Sequence, residues 1–311
     1  VIDPRAIVRR YGGYVCKGNA LIPTPGHSAR DRGTAIKPDM LAPDGVLVTC
    51  YNGGRADALA VKAMLRRDGY LAASDRPTRE LTPVERAAIR REEEDRQRQR
   101  EATEQAAAQE AAELWAASSR ADFRHGYLQA KRLEPFGVRQ MARELLVPMM
   151  DAAFRIWNVQ RIQHDGFKLF GRNARTKGLF WPHGAHQPDG APSAGPLVIG
   201  EGYATMAAIH METGHGVIAA LSANNLLVVA RTMRRLFPTR KIVIAADDDG
   251  HLAENLGMEA AEKAARAVSG RLAVPVPVRL KGDTQARSID FADVPRHRVA
   301  AQIAAALVGR P

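Results

Sequence analysis

Cysteine is nearly absent from this chain. Its 311 residues include two, Cys16 and Cys50. That excludes a disulfide framework and predicts a reducing, cytoplasmic setting. No apolar run approaches the roughly 20 residues a helix needs to cross a bilayer, so no membrane partner is expected. The charged and apolar segments of a secretory signal are missing from the start. The first residue is Val1 rather than Met, and the expectation is a trimmed chain or part of a longer protein. Gly and Pro are missing from 84–119. Strong helix formers with many opposite charges at i,i+4 fill that stretch, which predicts one helix of up to about 55 Å. Thr82-Pro83-Val84-Glu85 supplies its start: a cap, a proline in the first turn and an early acid. Its apolar positions are mostly Ala, too small for a wide core stripe, so it reads as a solvated spacer between domains.

Positive charge is abundant. There are 45 Lys and Arg against 34 Asp and Glu, a formal charge of +11, which points to a polyanionic partner. The excess concentrates in 123–190, with 11 Lys/Arg against 5 Asp/Glu. The apolar share of 45% is that of a soluble globular protein with a sizeable core.

Four segments follow from composition and pattern. Residues 1–80 read as a small module with a capped helix at 2–8, a turn-rich stretch, a strand at 45–51 and a helix at 56–67. Residues 81–122 are the charged helix. Residues 123–190 carry a strand at 145–150, an alternating strand at 156–162, a turn at His164-Asp165-Gly166 and a returning strand at 168–170. Residues 191–311 alternate strand and helix: apolar runs at 197–200, 216–220 and 241–246, helices at 203–213 and 225–236, and a last helix at 298–308. That alternation predicts a doubly wound, mostly parallel α/β sheet.

Two of those runs end in acid and glycine, Leu197-Val198-Ile199-Gly200-Glu201-Gly202 and Ile242-Val243-Ile244-Ala245-Ala246-Asp247-Asp248-Asp249-Gly250. In such sheets ligands gather at the carboxyl ends of the strands. Glu201, Asp247 and Asp249 are therefore expected at one edge. Three carboxylates there stay ionised cheaply only beside a cation, and hard oxygen ligands suit Mg²⁺.

These two motifs, in this order, resemble the Toprim domain of bacterial-type primases, topoisomerases and several nucleases. The resemblance implies that Glu201 acts as general acid/base or metal ligand and that Asp247 and Asp249 hold Mg²⁺ or Mn²⁺. The segments 201–205, 223–226 and 229–231 are similar to the primase branch. Ser288-Ile289-Asp290-Phe291-Ala292-Asp293 is similar to the motif closing that domain and implies Asp290 as a further metal-site acid. Asn224 or Asn225 is expected to orient a carboxylate or a nucleotide, or to cap a helix. The stretches 159–162, 165–170 and 177–180 resemble the segment preceding the Toprim domain in plasmid and phage primases. Arg161, Lys168, Arg172, Arg175 and Lys177 are thereby candidates for phosphate contacts, and Trp157, Phe170 and Trp181 for base stacking.

Residues 1–80 resemble the zinc ribbon found ahead of primase catalytic domains, in degenerate form. The match runs through Thr24-Pro25-Gly26-His27 and Thr49-Cys50-Tyr51-Asn52-Gly53-Gly54. Thr24 stands where the first Cys is expected, and Gly53 or Gly54 where the last would be. Only His27 and Cys50 remain, whereas a structural zinc site wants four N or S ligands. No zinc is expected. His183 and His186 are expected on a loop with Pro182 and Gly184.

The reading is a primase-like nucleotidyltransferase of a plasmid, phage or other mobile element. It would make primers from NTPs on a single-stranded DNA template, alongside a replicative helicase. The alternatives are a Mg²⁺-dependent Toprim nuclease and a non-catalytic DNA-binding replication accessory. A topoisomerase is not expected, because the chain is too short for strand-passage domains.

Overall fold

In a computed structural model, residues 2–26, 31–39, 42, 44–51, 55–71, 83–186, 193–248, 255–276 and 289–308 are described. The chain divides into two compact units, Val1–Glu93 and Glu94–Pro311.

The first unit opens with α1 (Pro4–Tyr11). Asp3 caps it by accepting from the Arg5 N–H at 2.9 Å, and Pro4 occupies the first turn. Strands β1 (Tyr14–Cys16), β2 (Asn19–Ile22), β3 (Thr34–Pro38) and β4 (Val46–Cys50) form an antiparallel sheet in sequence order. Helix α2 (Arg55–Arg67) follows. Ile7, Ile22, Ile36, Val48, Val61 and Leu65 meet in its core.

Helix α3 (Pro83–Ala117) is continuous over 35 residues. Its C-terminal part is no solvated spacer. Ala108 and Ala111 are buried, and Ala111 packs on Leu146 and Val159. Small side chains suffice here because a sheet, rather than another helix, approaches closely.

That sheet comprises β5 (Ser119–Arg120), β6 (Arg139–Met141), β7 (Glu144–Met150), β8 (Ile156–Ile162) and β9 (Lys168–Phe170), antiparallel and in sequence order. Helix α4 (Gly126–Lys131) interrupts it after β5. Its cap is His125, whose Nδ1 accepts from the Tyr127 N–H and whose other ring nitrogen bonds the Arg143 carbonyl at 2.9 Å.

The second sheet of this unit has the order β10-β12-β11-β13-β14. Its strands are β10 (Trp181–His183), β11 (Leu197–Gly200), β12 (Gly216–Ala219), β13 (Ile242–Ala245) and β14 (Arg271–Ala273). The last four are parallel and β10 is antiparallel. Helices α5 (Tyr203–Thr213), α6 (Ala223–Leu236) and α7 (Leu256–Ala267) connect them, and α8 (Arg296–Val308) closes the chain. Every residue of β11, β12 and β13 is buried, because both faces are covered. Leu197, Ile199, Ile242 and Ile244 join the cluster containing Leu226, Val229 and Met233 of α6. Val198 and Val243 join a second cluster with Met206 of α5, Ile303 of α8, and Leu145, Val147 and Ile162 of the antiparallel sheet.

The loop expected around His183 is instead the edge strand β10. An edge strand tolerates Pro182 because its missing N–H is not required by a second neighbour.

Candidate active site at the carboxyl edge of the parallel sheet

Strand β11 has a parallel neighbour on each side. Helix α5 leads to β12 on one side, and α6 leads back across to β13 on the other. The direction of connection therefore reverses at β11, and a crevice opens beyond the strand ends. Leu197 is level with Ile242 and Ile199 with Ile244. Glu201 directly follows β11 and Asp247 lies two places after β13, strands that run side by side about 5 Å apart. The Leu221 N–H donates to the Glu201 carbonyl at 2.7 Å, and the Ala246 N–H to the Ala273 carbonyl at 2.9 Å. Both ladders thus persist up to the acids. A Cβ on Gly200 would displace the Met206 methyl and crowd the Ala245 carbonyl at 3.2 Å, so glycine lets α5 and β13 pack closely here. Glu201 and Asp247 are half-buried. Gly202 caps α5 immediately after Glu201, so the positive end of that helix begins beside the carboxylate.

Asp248 pairs with Ile289 through two backbone hydrogen bonds of 2.8 and 2.9 Å. Its Oδ1 accepts from Asn255 Nδ2 at 2.7 Å. The pairing brings 289–293 alongside the end of β13. There Asp290 Oδ2 and Asp293 Oδ1 lie 3.8 and 3.0 Å from Lys131 Nζ. Burial raises the Asp290 carboxyl above its ordinary value, Lys131 pulls it back and Asp293 adds to the rise. Lys131 answers in kind: burial works against its charge, but Asp290, Asp293 and Asp247 together hold its ammonium above the usual value. Arg296 Nη2 donates to the Lys131 and Arg132 carbonyls at 2.6 and 3.2 Å, anchoring the end of α4. Lys168 contributes a further positive field at Asp290.

Among the described residues, no three His, Cys, Asp or Glu side chains are grouped to hold a metal ion. The donor chemistry nevertheless suits a hard divalent cation. Mg²⁺ is usually bound by one or two carboxylates together with substrate phosphates and water, and Glu201 and Asp247 follow the ends of adjacent strands. Asp249 lies outside the described residues, as does His27.

The five basic candidates do not form one patch. Residues directly opposite in an antiparallel pair share a face. Lys168 is opposite Ile162, and Ile162 is opposite Leu145. All three share one face of the sheet; Leu145 and Ile162 are buried there in the core shared with the parallel sheet, while Lys168 is exposed. Arg161 is opposite Leu146 and Leu169, on the face covered by α3, and lies 3.7 Å from Glu144. Arg175 lies over the Trp157 ring at 5.1 Å, and its Nε donates to the Lys177 carbonyl. Arg172 and Lys177 are exposed.

The aromatic candidates also separate. Trp181 is fully buried and edge-on to Tyr203 at 4.9 Å, so it is a core residue and no stacking platform. Trp157 Nε1 donates to Asp151 Oδ2 at 2.7 Å. Phe170 is 40% exposed, on the same face as Lys168. His183 stacks on Trp181 and meets His210 edge-on at 4.5 Å.

Asn225 neither caps a helix nor faces the acids. Its Oδ1 accepts from the Gly178 N–H at 2.7 Å, and its Nδ2 donates to the Leu179 and Ala220 carbonyls. In the first unit Thr24 Oγ1 bonds Thr34 Oγ1 at 3.0 Å, and Thr34 Oγ1 bonds Cys50 Sγ at 3.3 Å. Lys131 and Arg296 carried no local signal in the sequence, because each matters through a partner far along the chain, whereas Asp293 belongs to the closing motif.

Residues 196–301 match the Toprim domain family, and the doubly wound half of this chain is a Toprim domain. The chain is also primase-like in sequence. It is 39% identical over 157 residues to a DNA primase TraC of Escherichia coli, covering 48% of this chain and 11% of the relative. A second DNA primase TraC of Escherichia coli is 34% identical over 211 residues, covering 63% of this chain and 19% of the relative. The chain thus spans between a tenth and a fifth of these curated relatives. Among solved structures it is similar to the DnaG primase catalytic domain bound to ssDNA, at 13% identity and a TM-score of 0.44, over 66% of this chain and 80% of that one.

Proposed function

We propose that this chain is a primase-type nucleotidyltransferase that extends short primers on single-stranded DNA. The observation that carries the reading is that Glu201 and Asp247 follow the ends of adjacent parallel strands at the reversal point, with Lys131 held by Asp290 and Asp293 of the neighbouring closing motif. Glu201, Asp247 and Asp249, with Asp290 as a further acid, would hold a divalent cation, Mg²⁺ or Mn²⁺, which would supply charge neutralisation for phosphoryl transfer. Glu201 takes the proton from the primer 3′-hydroxyl as that oxygen attacks the α-phosphate; the new ester bond replaces the bond to the β-phosphate, and pyrophosphate leaves. Lys168 and Lys131 balance the negative charge that the triphosphate brings to an acidic crevice. Arg161, Arg172, Arg175 and Lys177 hold backbone phosphates of the strand. NTPs and a DNA template are thus its partners. A replicative helicase, a mobile-element origin and a cytoplasmic location complete the proposal. Among the described residues no helix is long and apolar enough to cross a membrane.

The test is primer synthesis on single-stranded templates with NTPs and with Mg²⁺ or Mn²⁺. Asp247→Asn and Glu201→Gln should each reduce synthesis by at least about 100-fold, with oligonucleotide binding retained. Full synthesis by both variants would discard the site. Strand cleavage in Mg²⁺ without NTPs, lost in the same variants, would replace polymerisation with hydrolysis as the activity.

A further inference from the structure

The acids gather at one end of the parallel sheet, and a cleft of about 940 Å³ lies at the other. Strand β14 is the last of its sheet, and among the described residues no strand pairs with its outer side. The cleft follows that free edge. Leu272 is level with Ile244, on the face covered by α6 and α7, and lines the cleft together with Ala265 of α7. Arg271 is level with Val243, on the opposite face, where Ala306 and Leu307 of α8 form the second wall. An unpaired strand edge thus lies at the bottom of a cleft with a helix on either side.

The Ala246 N–H donates to the Ala273 carbonyl at 2.9 Å, so Ala273 turns its backbone towards β13. Backbone groups alternate in direction along a strand, which turns the Leu272 N–H and carbonyl to the open edge. Four residues on, Gln302 of α8 accepts from the Val276 N–H and donates to its carbonyl, both at 2.9 Å. A side chain there supplies the pair of bonds that a neighbouring strand would give. The charge of the cleft is uneven. Glu262, the one carboxylate lining it, lies 3.2 Å from Arg266. Lys241 and Arg271 have no carboxylate partner among the described residues, and Arg271 Nη1 is buried without a hydrogen bond. Lys241 immediately precedes β13 and Arg271 begins β14, so both cations mark the end of the sheet remote from the acids.

We propose that this cleft receives an extended acidic segment of a partner protein, added as a further strand beside β14. The segment exchanges backbone hydrogen bonds with Leu272 and sets apolar side chains against Ala265 and Leu307. It brings carboxylates to Lys241 and Arg271. A second copy of this chain fits poorly, because it would set the same cations face to face. A nucleic-acid strand would use the cations but neither the apolar walls nor the backbone edge. The inference does not depend on the chemistry at the acid crevice.

The experiment measures anisotropy of a fluorescein-labelled octapeptide, Asp or Glu alternating with Val, titrated with the full chain. Lys241→Ala/Arg271→Ala should weaken binding by about tenfold or more, since two charged contacts are lost. Lys241→Glu, at an exposed position, removes one contact without touching the half-buried arginine and should also weaken binding. Arg96→Ala/Arg98→Ala, which removes two cations from α3, should leave binding unchanged. Two peptides methylated on alternate sets of backbone nitrogens should differ by about tenfold, because only one set can donate to the strand edge. No saturable binding by wild type overturns the proposal, as does equal binding by wild type and both Lys241 variants. Equal affinity of the two methylated peptides removes strand addition and overturns it too. So does a loss confined to single-stranded DNA binding in the Lys241 variants, or a wild-type dimer in sedimentation that Lys241→Glu dissociates.

Discussion

Lys131 and Asp293 are 162 residues apart in sequence and 3.0 Å apart in space. The pair fastens α4 to the closing motif of the Toprim domain, and Asp290 shares the same ammonium at 3.8 Å. Replacing Lys131 with Met keeps the length of the side chain and removes its charge. The loss should cost about 1–2 kcal/mol in urea unfolding, because two partly buried carboxylates lose a charged hydrogen-bonding partner. Added Mg²⁺ should then raise Tm more in the variant than in wild type, since a bound cation stabilises by mass action where the ammonium is gone. Equal Mg²⁺ shifts in the two proteins would refute a shared acidic pole.

Asn225 satisfies one donor, the Gly178 N–H, and three acceptors, the Thr176, Leu179 and Ala220 carbonyls, tying the 176–179 loop to the end of β12. Asn225→Ala leaves the Gly178 N–H and the Leu179 carbonyl without this partner. A loss of about 3 kcal/mol is expected, with weaker DNA binding because the 175–178 loop is released. Denaturation and anisotropy on the same preparation check both.

His183 predicts an acid-sensitive stability. Burial, with a smaller contribution from His210, lowers its pKa from 6.5 to about 4. The unfolded chain therefore binds the proton more readily than the folded one. The stabilisation is fully present above pH 6.5 and is lost as pH falls towards 4. Allowing for the ring's partial solvent contact, the difference is about 1–2 kcal/mol. His183→Phe should preserve the stack on Trp181 and flatten the fall in stability between pH 6.5 and 4.5. Some slope should remain, since burial and Arg240 also lower His186 and His215. A variant with an unaltered pH profile would assign the acid sensitivity elsewhere.

Thr34 links Thr24 to Cys50 where the ribbon-like resemblance places metal ligands. Thr34→Val keeps the shape and removes both hydrogen bonds, at an expected cost of about 1–2 kcal/mol. Thr34→Ser should cost less. Equal losses in both variants would mean that packing of the methyl group, rather than the hydroxyl, sets the effect.

Much of the Toprim half was legible because short, fully buried, β-branched strands leave an uninterrupted apolar signature that ends in acid. Helix α5 was read at its observed bounds, 203–213, for the same reason: glycine closes it on both sides. Strand β10 was misread because Pro182 and Gly184 signal a loop, and nothing local says that one hydrogen-bonded neighbour suffices. Trp181 resembled a stacking residue because its burial depends on Tyr203, 22 positions later. The separation of Arg161 from Lys168 needed the strand register, since a shift by one place reverses the face. Lys131 was invisible for a simpler reason: its function lies wholly in carboxylates contributed by the other end of the chain.

The backbone bridge between Met150 and Phe180 and the apolar cluster joining Leu145 and Val147 to Val198 and Val243 set a boundary that differs from the motif boundary. A polypeptide beginning near 193 would keep the signature acids yet expose the part of that cluster which Leu145, Val147 and Ile162 cover. It should aggregate rather than fold autonomously. The machinery for chemistry and the strands ahead of it are therefore expected to melt together, in one cooperative transition.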